Sequence, residues 1–154
     1  MTKKIAKKSS VHNSLTATTR NALMCDFSRH LGMCIVAARQ GRSTVEMRVK
    51  KQHLNRIAIT HGGAIFSLAD KAFAAAANFS ASPSVAMNMT ISYLRPSNEC
   101  DTLVAEAREI RSGKRTCLYD IKVFNKKSKK LLAVVVATGF MLETATQQNS
   151  RSAK

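Results

Sequence analysis

GGAIFSLADKAFAAAANFS, residues 62–80, decides the architecture. Seven of its positions between 64 and 77 are alanine, the strongest helix former, and no glycine or proline interrupts the run after Gly63. Apolar side chains fall on nearly every side, which predicts a helix buried all round. The alanines keep that helix thin, so a sheet can approach it closely from several directions. Upstream, NALMCDFSRHL at 21–31 spaces Leu23, Met24, Phe27 and Leu31 as a short amphipathic helix ending at Gly32. Met33–Arg39 and Ser43–Lys50 read as two strands around the turn Gln40-Gly41-Arg42. In the second strand Val45, Met47 and Val49 alternate with Glu46, Arg48 and Lys50, so one face is wet.

Downstream, four strands follow. Ser84–Arg95 alternates; Asp101–Ile110 and Arg115–Phe124 are joined by RSGK; Leu131–Leu142 is nearly all apolar and is expected to be buried on both faces. Short linkers predict an antiparallel meander. The order is helix, two strands, long helix, four strands. An α+β fold, with one long buried helix wrapped by a curved antiparallel sheet, satisfies it best.

The 154 residues make one domain, expected over 21–143, with a basic flexible tail at 1–20 and another tail at 144–154. The net charge is +16, which favours polyanionic partners: nucleic acid, a phosphorylated cofactor or an anionic membrane surface. Two Tyr and six Phe, none in a basic cluster, offer little for base stacking, so nucleic acid is disfavoured. The apolar run at 131–137 is far too short to span a bilayer, and no membrane partner is expected. No apolar segment of the secretory kind follows the N-terminal lysines. The four cysteines show no CxxC pair and no ligand spacing with histidine, so a reducing cytoplasm and no metal are expected.

Asp70 is the most informative residue. It is the sole acid between residues 47 and 98, and it stands in the apolar helix. A desolvated carboxylate is unfavourable by several kcal/mol unless paired or used. Lys71 is a poor partner, because neighbouring helical residues point about 100° apart. His61-Gly62-Gly63 opens the same helix. The two glycines allow close approach of a ligand, and the unpaired first-turn N–H groups suit an anion or a developing oxyanion. The plainer alternative is a tight strand-to-helix turn.

Gly63 and Asp70 lie seven residues apart, about 10 Å along the axis. Two groups acting on one carbonyl must each come within roughly 3–3.5 Å of it. One helix cannot deliver both, whereas two antiparallel copies can. If both act, the enzyme is an obligate dimer with shared sites.

Asn55-x5-His61-Gly62-Gly63-x6-Asp70, the string HGGAIFSLADKAFAAAAN and the later ISYLRPS together resemble hotdog-fold thioesterases of the phenylacetate-degradation (PaaI) type, over residues 21–142. The resemblance implies hydrolysis of an acyl-CoA thioester in a homodimer, commonly paired into a tetramer, with no cofactor beyond the coenzyme A of the substrate. It makes Asp70 the catalytic carboxylate, attacking directly or activating water. It gives the partner subunit's Gly63 N–H the task of polarising the carbonyl, and Asn55 that of positioning carbonyl or water. His61 matches the motif histidine, fixing the turn or acting directly. Gly62 falls at the substrate, and Lys114 and Arg115, after Gly113, become candidates for the nucleotide phosphates. Phe73, with Phe66, is a candidate acyl-pocket wall or a core residue. Two departures stand out. Ala58 occupies a position where the family often has glycine. Lys71 follows the acid where a small or hydroxylated residue is common, and could hold Asp70 ionised or reach a substrate anion. The competing class is a non-catalytic hotdog protein that binds acyl-CoA.

Overall fold

The computed structural model describes residues 15–79 and 83–142. In chain order these form α1 (Ala17–Leu23), α2 (Asp26–His30), β1 (Met33–Arg39), β2 (Arg42–Arg48), a single 3-10 turn (Lys51–His53), α3 (Gly62–Ala77), β3 (Ser84–Tyr93), β4 (Thr102–Ser112), β5 (Thr116–Asn125) and β6 (Leu131–Met141). The strands make one antiparallel sheet in the order β1-β2-β4-β5-β6-β3. This is the hotdog architecture, α+β, with α3 in the fold of the sheet.

The alanines do what their size suggests. Ala69, Ala72, Ala75 and Ala76 are fully buried, and they let strand backbone reach helix backbone. Gly41 N–H donates to Ala76 C=O at 3.1 Å, and Ser43 Oγ donates to Ala72 C=O at 2.6 Å. Leu68 and Phe73 are its larger buried side chains, in one core with Ile35, Val45, Leu103, Tyr119 and Ile121. At its end α3 is tied to β3 by Asn78, whose side chain donates to Ser84 C=O at 3.0 Å and accepts from Ser84 N–H at 2.6 Å.

Three sequence expectations need correction. β3 does not continue the meander: it pairs with β6 over Ser84–Tyr93 and forms an outer edge, leaving β4-β5-β6 as the meander. Extended, residues 94–101 reach up to about 26 Å, whereas β3 and β4 are three strand spacings apart, about 14 Å, so the connection can cross the sheet end. β6 is not covered on both sides, since Val136 is 49% exposed. The N-terminal helix is two: α1 starts inside the span expected to be a tail, with Leu15 packed on the core, and Ser28 restarts the chain as α2 through its bonds to Cys25. Residues 1–14 and the expected C-terminal tail lie outside the described residues.

Two surfaces matter later. The β3 edge carries Val85 and Met87, 48% and 61% exposed. On the sheet's outer side Arg39, Arg42 and Arg108 stand directly opposite one another across three adjacent strands, all exposed and without an ion pair among the described residues.

Candidate active site

The site is built at the first turn of α3 from three segments. The loop before the helix closes on itself through a bridge between Leu54 and Thr60. Asn55 holds it from within, its Oδ1 accepting from Ile57 N–H at 3.0 Å and Ile59 N–H at 3.3 Å. Among the described residues the Asn55 side-chain NH2 has no partner and is the group free to donate. The loop requires a left-handed residue, and Ala58 supplies it at φ +59°; this is the position where the family favours glycine, which takes that conformation without a Cβ penalty. Thr60 joins the loop to the segment after β3, its N–H donating to Ser97 C=O at 2.8 Å and its Oγ1 accepting from Ser97 Oγ at 2.7 Å.

His61 caps α3. Its Nδ1 accepts from Gly63 N–H at 2.9 Å, and its C=O accepts from Ala64 and Ile65 N–H at 2.9 and 3.3 Å. The amide assigned to the substrate carbonyl from sequence, Gly63 N–H, is therefore already engaged. Gly62 N–H has no partner among the described residues. Tyr93, from the end of β3, donates its hydroxyl to Gly62 C=O at 2.9 Å. An open groove of about 400 Å³ lies here, with Asn55, Thr60, Gly62, Tyr93 and Arg95 as its polar members and Ile59, Ile65 and Leu94 among its apolar wall.

Asp70 lies two turns further along α3, half-buried and outside the wall of that groove. Among the described residues it makes no hydrogen bond or ion pair. Burial raises its pKa above the usual carboxylate range, with the positive charge of Lys71 pulling partly back. Lys71 itself is not poised for substrate. It is buried, its Nζ donates to the Leu23 carbonyl at the end of α1, and burial lowers its pKa.

The remaining candidates separate. Phe73 is 1% exposed and packs edge-on to Tyr119 with ring centroids 5.2 Å apart. A Cβ on Gly139 would come within 2.5 Å of its ring, so Phe73 belongs to the core and not to a substrate wall. Lys114 and Arg115 sit exposed in the β4–β5 turn, with the Arg115 guanidinium 5.2 Å above the Phe140 ring, apart from the groove of their own chain. Tyr93, Ile59, Ile65 and Leu94 were not singled out from sequence. For Tyr93 and Leu94 the one sequence signal is ISYLRPS, whose meaning depends on β3 running beside β6; Ile59 and Ile65 lie outside it. Among the described residues no three of His, Cys, Asp and Glu gather as metal ligands would, and no helix is long and apolar enough to cross a membrane.

Residues 58–132 match the family model of the thioesterase superfamily. The chain is 42% identical over 102 residues to the Escherichia coli acyl-coenzyme A thioesterase PaaI, covering 66% of this chain and 73% of that one. The chain belongs to the thioesterase superfamily. The structure of the E. coli PaaI protein from the phenylacetic acid degradation operon overlays this thioesterase with a TM-score of 0.78 at 35% identity, covering 82% of this chain and 92% of that one. A Streptococcus mutans protein bound to acetyl CoA overlays the thioesterase with a TM-score of 0.69 at 27% identity, over 73% and 90% of the two chains. The matched span runs from Ala58 through the His61 turn and Asp70 to β6, and leaves Asn55 three residues outside it.

Proposed function

We propose that this thioester hydrolase cleaves acyl-CoA to the free acid and coenzyme A at a site shared between two subunits. One observation carries the reading. The groove holds an unpartnered amide, Gly62 N–H, and the side-chain NH2 of Asn55, while the unpartnered carboxylate of Asp70 stands apart from it on the same helix. A second copy, its α3 antiparallel to the first, brings its own Asp70 to the groove. The names of the E. coli and S. mutans relatives support coenzyme A as the thiol of the substrate.

In this reading the thioester carbonyl oxygen faces Gly62 N–H and the Asn55 side chain. Asp70 of the partner subunit, ionised, attacks the carbonyl carbon or takes a proton from the water that does. Negative charge gathers on the carbonyl oxygen and is met by amides already in place. The C–S bond breaks, the coenzyme A sulfur leaves and takes a proton, and the acid is released after one water has been consumed. No cofactor takes part. Lys114 is the cleaner candidate for a nucleotide phosphate, since Arg115 also packs on Phe140. The bare β3 edge, with Val85 and Met87, is the face we assign to the dimer, and two dimers pair into a tetramer. Four unpaired cysteines suit a reducing cytoplasm. Neither a membrane nor nucleic acid belongs to this reading.

A panel of aryl, arylacetyl and medium-chain acyl-CoA thioesters, followed by release of free thiol, tests it. Turnover of at least one class, removed by Asp70→Asn, is expected. Tight binding of acyl-CoA without turnover of any would replace hydrolysis with a binding role.

A further inference from the structure

We propose that Tyr93 is a positioning residue for the amide that meets the substrate. It works with His61 by clamping one peptide unit from both ends. The unit is the Gly62–Gly63 peptide. Its N–H donates to His61 Nδ1 at 2.9 Å. Its C=O accepts from the Tyr93 hydroxyl at 2.9 Å. Two adjacent glycines at a helix start have the largest conformational freedom the backbone offers, and first turns fray. Gly62 N–H itself belongs to the preceding peptide, whose His61 C=O accepts from Ala64 and Ile65 N–H at 2.9 and 3.3 Å; with the following plane held at both ends as well, little rotation is left at Gly62 between them, and the direction of its free N–H is kept.

The fit is mutual. A Cβ on Gly62 would come within 3.1 Å of both Cζ and Oη of Tyr93. The tyrosine ring thus occupies the room that glycine leaves, and any larger residue at 62 would push the ring and its hydroxyl away. Tyr93 is also 50% exposed and lines the groove, so core packing does not explain its place. It arrives from β3, a different element from the turn it holds, so the turn's geometry depends on how that edge strand is seated. A donor fixed before the reaction stabilises developing charge without reorganising, and this gives the clamp a catalytic consequence.

The inference rests on the reading that Gly62 N–H meets the thioester carbonyl, and the experiment separates the two. Tyr93→Phe removes the hydroxyl and keeps the ring. It should lower kcat about tenfold, less than the 10²–10³ lost when a whole oxyanion donor is removed, and leave KM within about twofold. An unchanged kcat, or a KM that rises in parallel with the loss, would overturn the clamp and make Tyr93 an ordinary wall contact. Infrared spectra of benzoyl-CoA bound to the Asp70→Asn protein add a readout that folding alone does not move. The thioester C=O stretch should shift to lower frequency on binding, and the shift should shrink when Tyr93→Phe is added. A shift that is present but indifferent to Tyr93→Phe overturns the clamp alone. No shift in the Asp70→Asn protein overturns the role of the Gly62 amide, and the clamp with it.

Discussion

The two candidate stations on α3 are finished to different degrees. At the first turn, side chains from the preceding loop, the helix cap and β3 fix the backbone through hydrogen bonds at or below 3.3 Å, and a groove is formed. Two turns later Asp70 has no such support: it is half-buried, unpaired and held above its ordinary pKa. Its neighbour Lys71, one position on, is fully committed to Leu23. A chain can complete a backbone donor site from its own segments. In the shared-site proposal, the acid left desolvated on the same helix is the part that a second copy uses.

The sharpest way to break this contrast is Asp70→Asn. Turnover should fall at least 10²-fold, the lower end for loss of a general acid–base group, with the fold intact by circular dichroism. Stability should move the other way. Burial raises the folded pKa, so ionisation opposes folding; the penalty is absent below the unfolded pKa near 4 and complete above the folded value. Asp70→Asn should therefore melt higher than the parent at neutral pH, and the gap should close as the pH falls towards about 4. A variant that keeps near-parental turnover would leave the carboxylate without a role.

Mixing comes next in size. Gly62→Val chains lack a usable first turn, and Asp70→Asn chains lack the acid. Each homodimer is inactive, but a mixed dimer has one site with both parts. Co-refolding should restore up to about a quarter of parental activity, because half of random dimers are mixed and each has one good site. Verified mixed dimers with no activity would place both stations in one chain. Smaller again is the effect at the β4–β5 turn. Lys114→Ala should raise KM for acyl-CoA several-fold, about 1 kcal/mol for an exposed charge pair with a phosphate, and spare short non-CoA thioesters. An unchanged KM would move the nucleotide elsewhere. The smallest effect concerns the loop beneath the first station. Ala58→Gly relieves a left-handed alanine worth roughly 1 kcal/mol, so the melting temperature should rise by about 2–4 °C. A fall would show that Ala58 stiffens the loop more than it strains it.

Much of this was legible in the chain itself. The α3 run and all six strands follow from periodicity and turn residues, and Asp70 announced itself as a lone acid in an apolar helix. Other features depend on contacts far apart in sequence. β3 sits beside β6 because the eight-residue crossing is long enough to skip over the sheet end, and no local pattern states that. The partner of Tyr93 is visible only once β3 is placed. The choice between Gly62 and Gly63 turned on which N–H the His61 ring accepts, a matter of one rotamer. Phe73 shares a helical face with Asp70 in projection, but Gly139 leaves room for its ring within the core.

The row of Arg39, Arg42 and Arg108 sets how the protein must be handled. Like charges directly opposite on neighbouring strands repel, so a loose polyanion in a lysate, RNA fragments included, would serve them as a non-specific counterion at low salt. With no tryptophan and two tyrosines, the chain absorbs weakly at 280 nm, and a trace of nucleic acid will dominate the ultraviolet trace and inflate any concentration read from it. At about 1 M salt the Debye length shrinks to about 3 Å, less than the spacing between adjacent strands. Each guanidinium is then screened from the next, and the contaminant loses its hold.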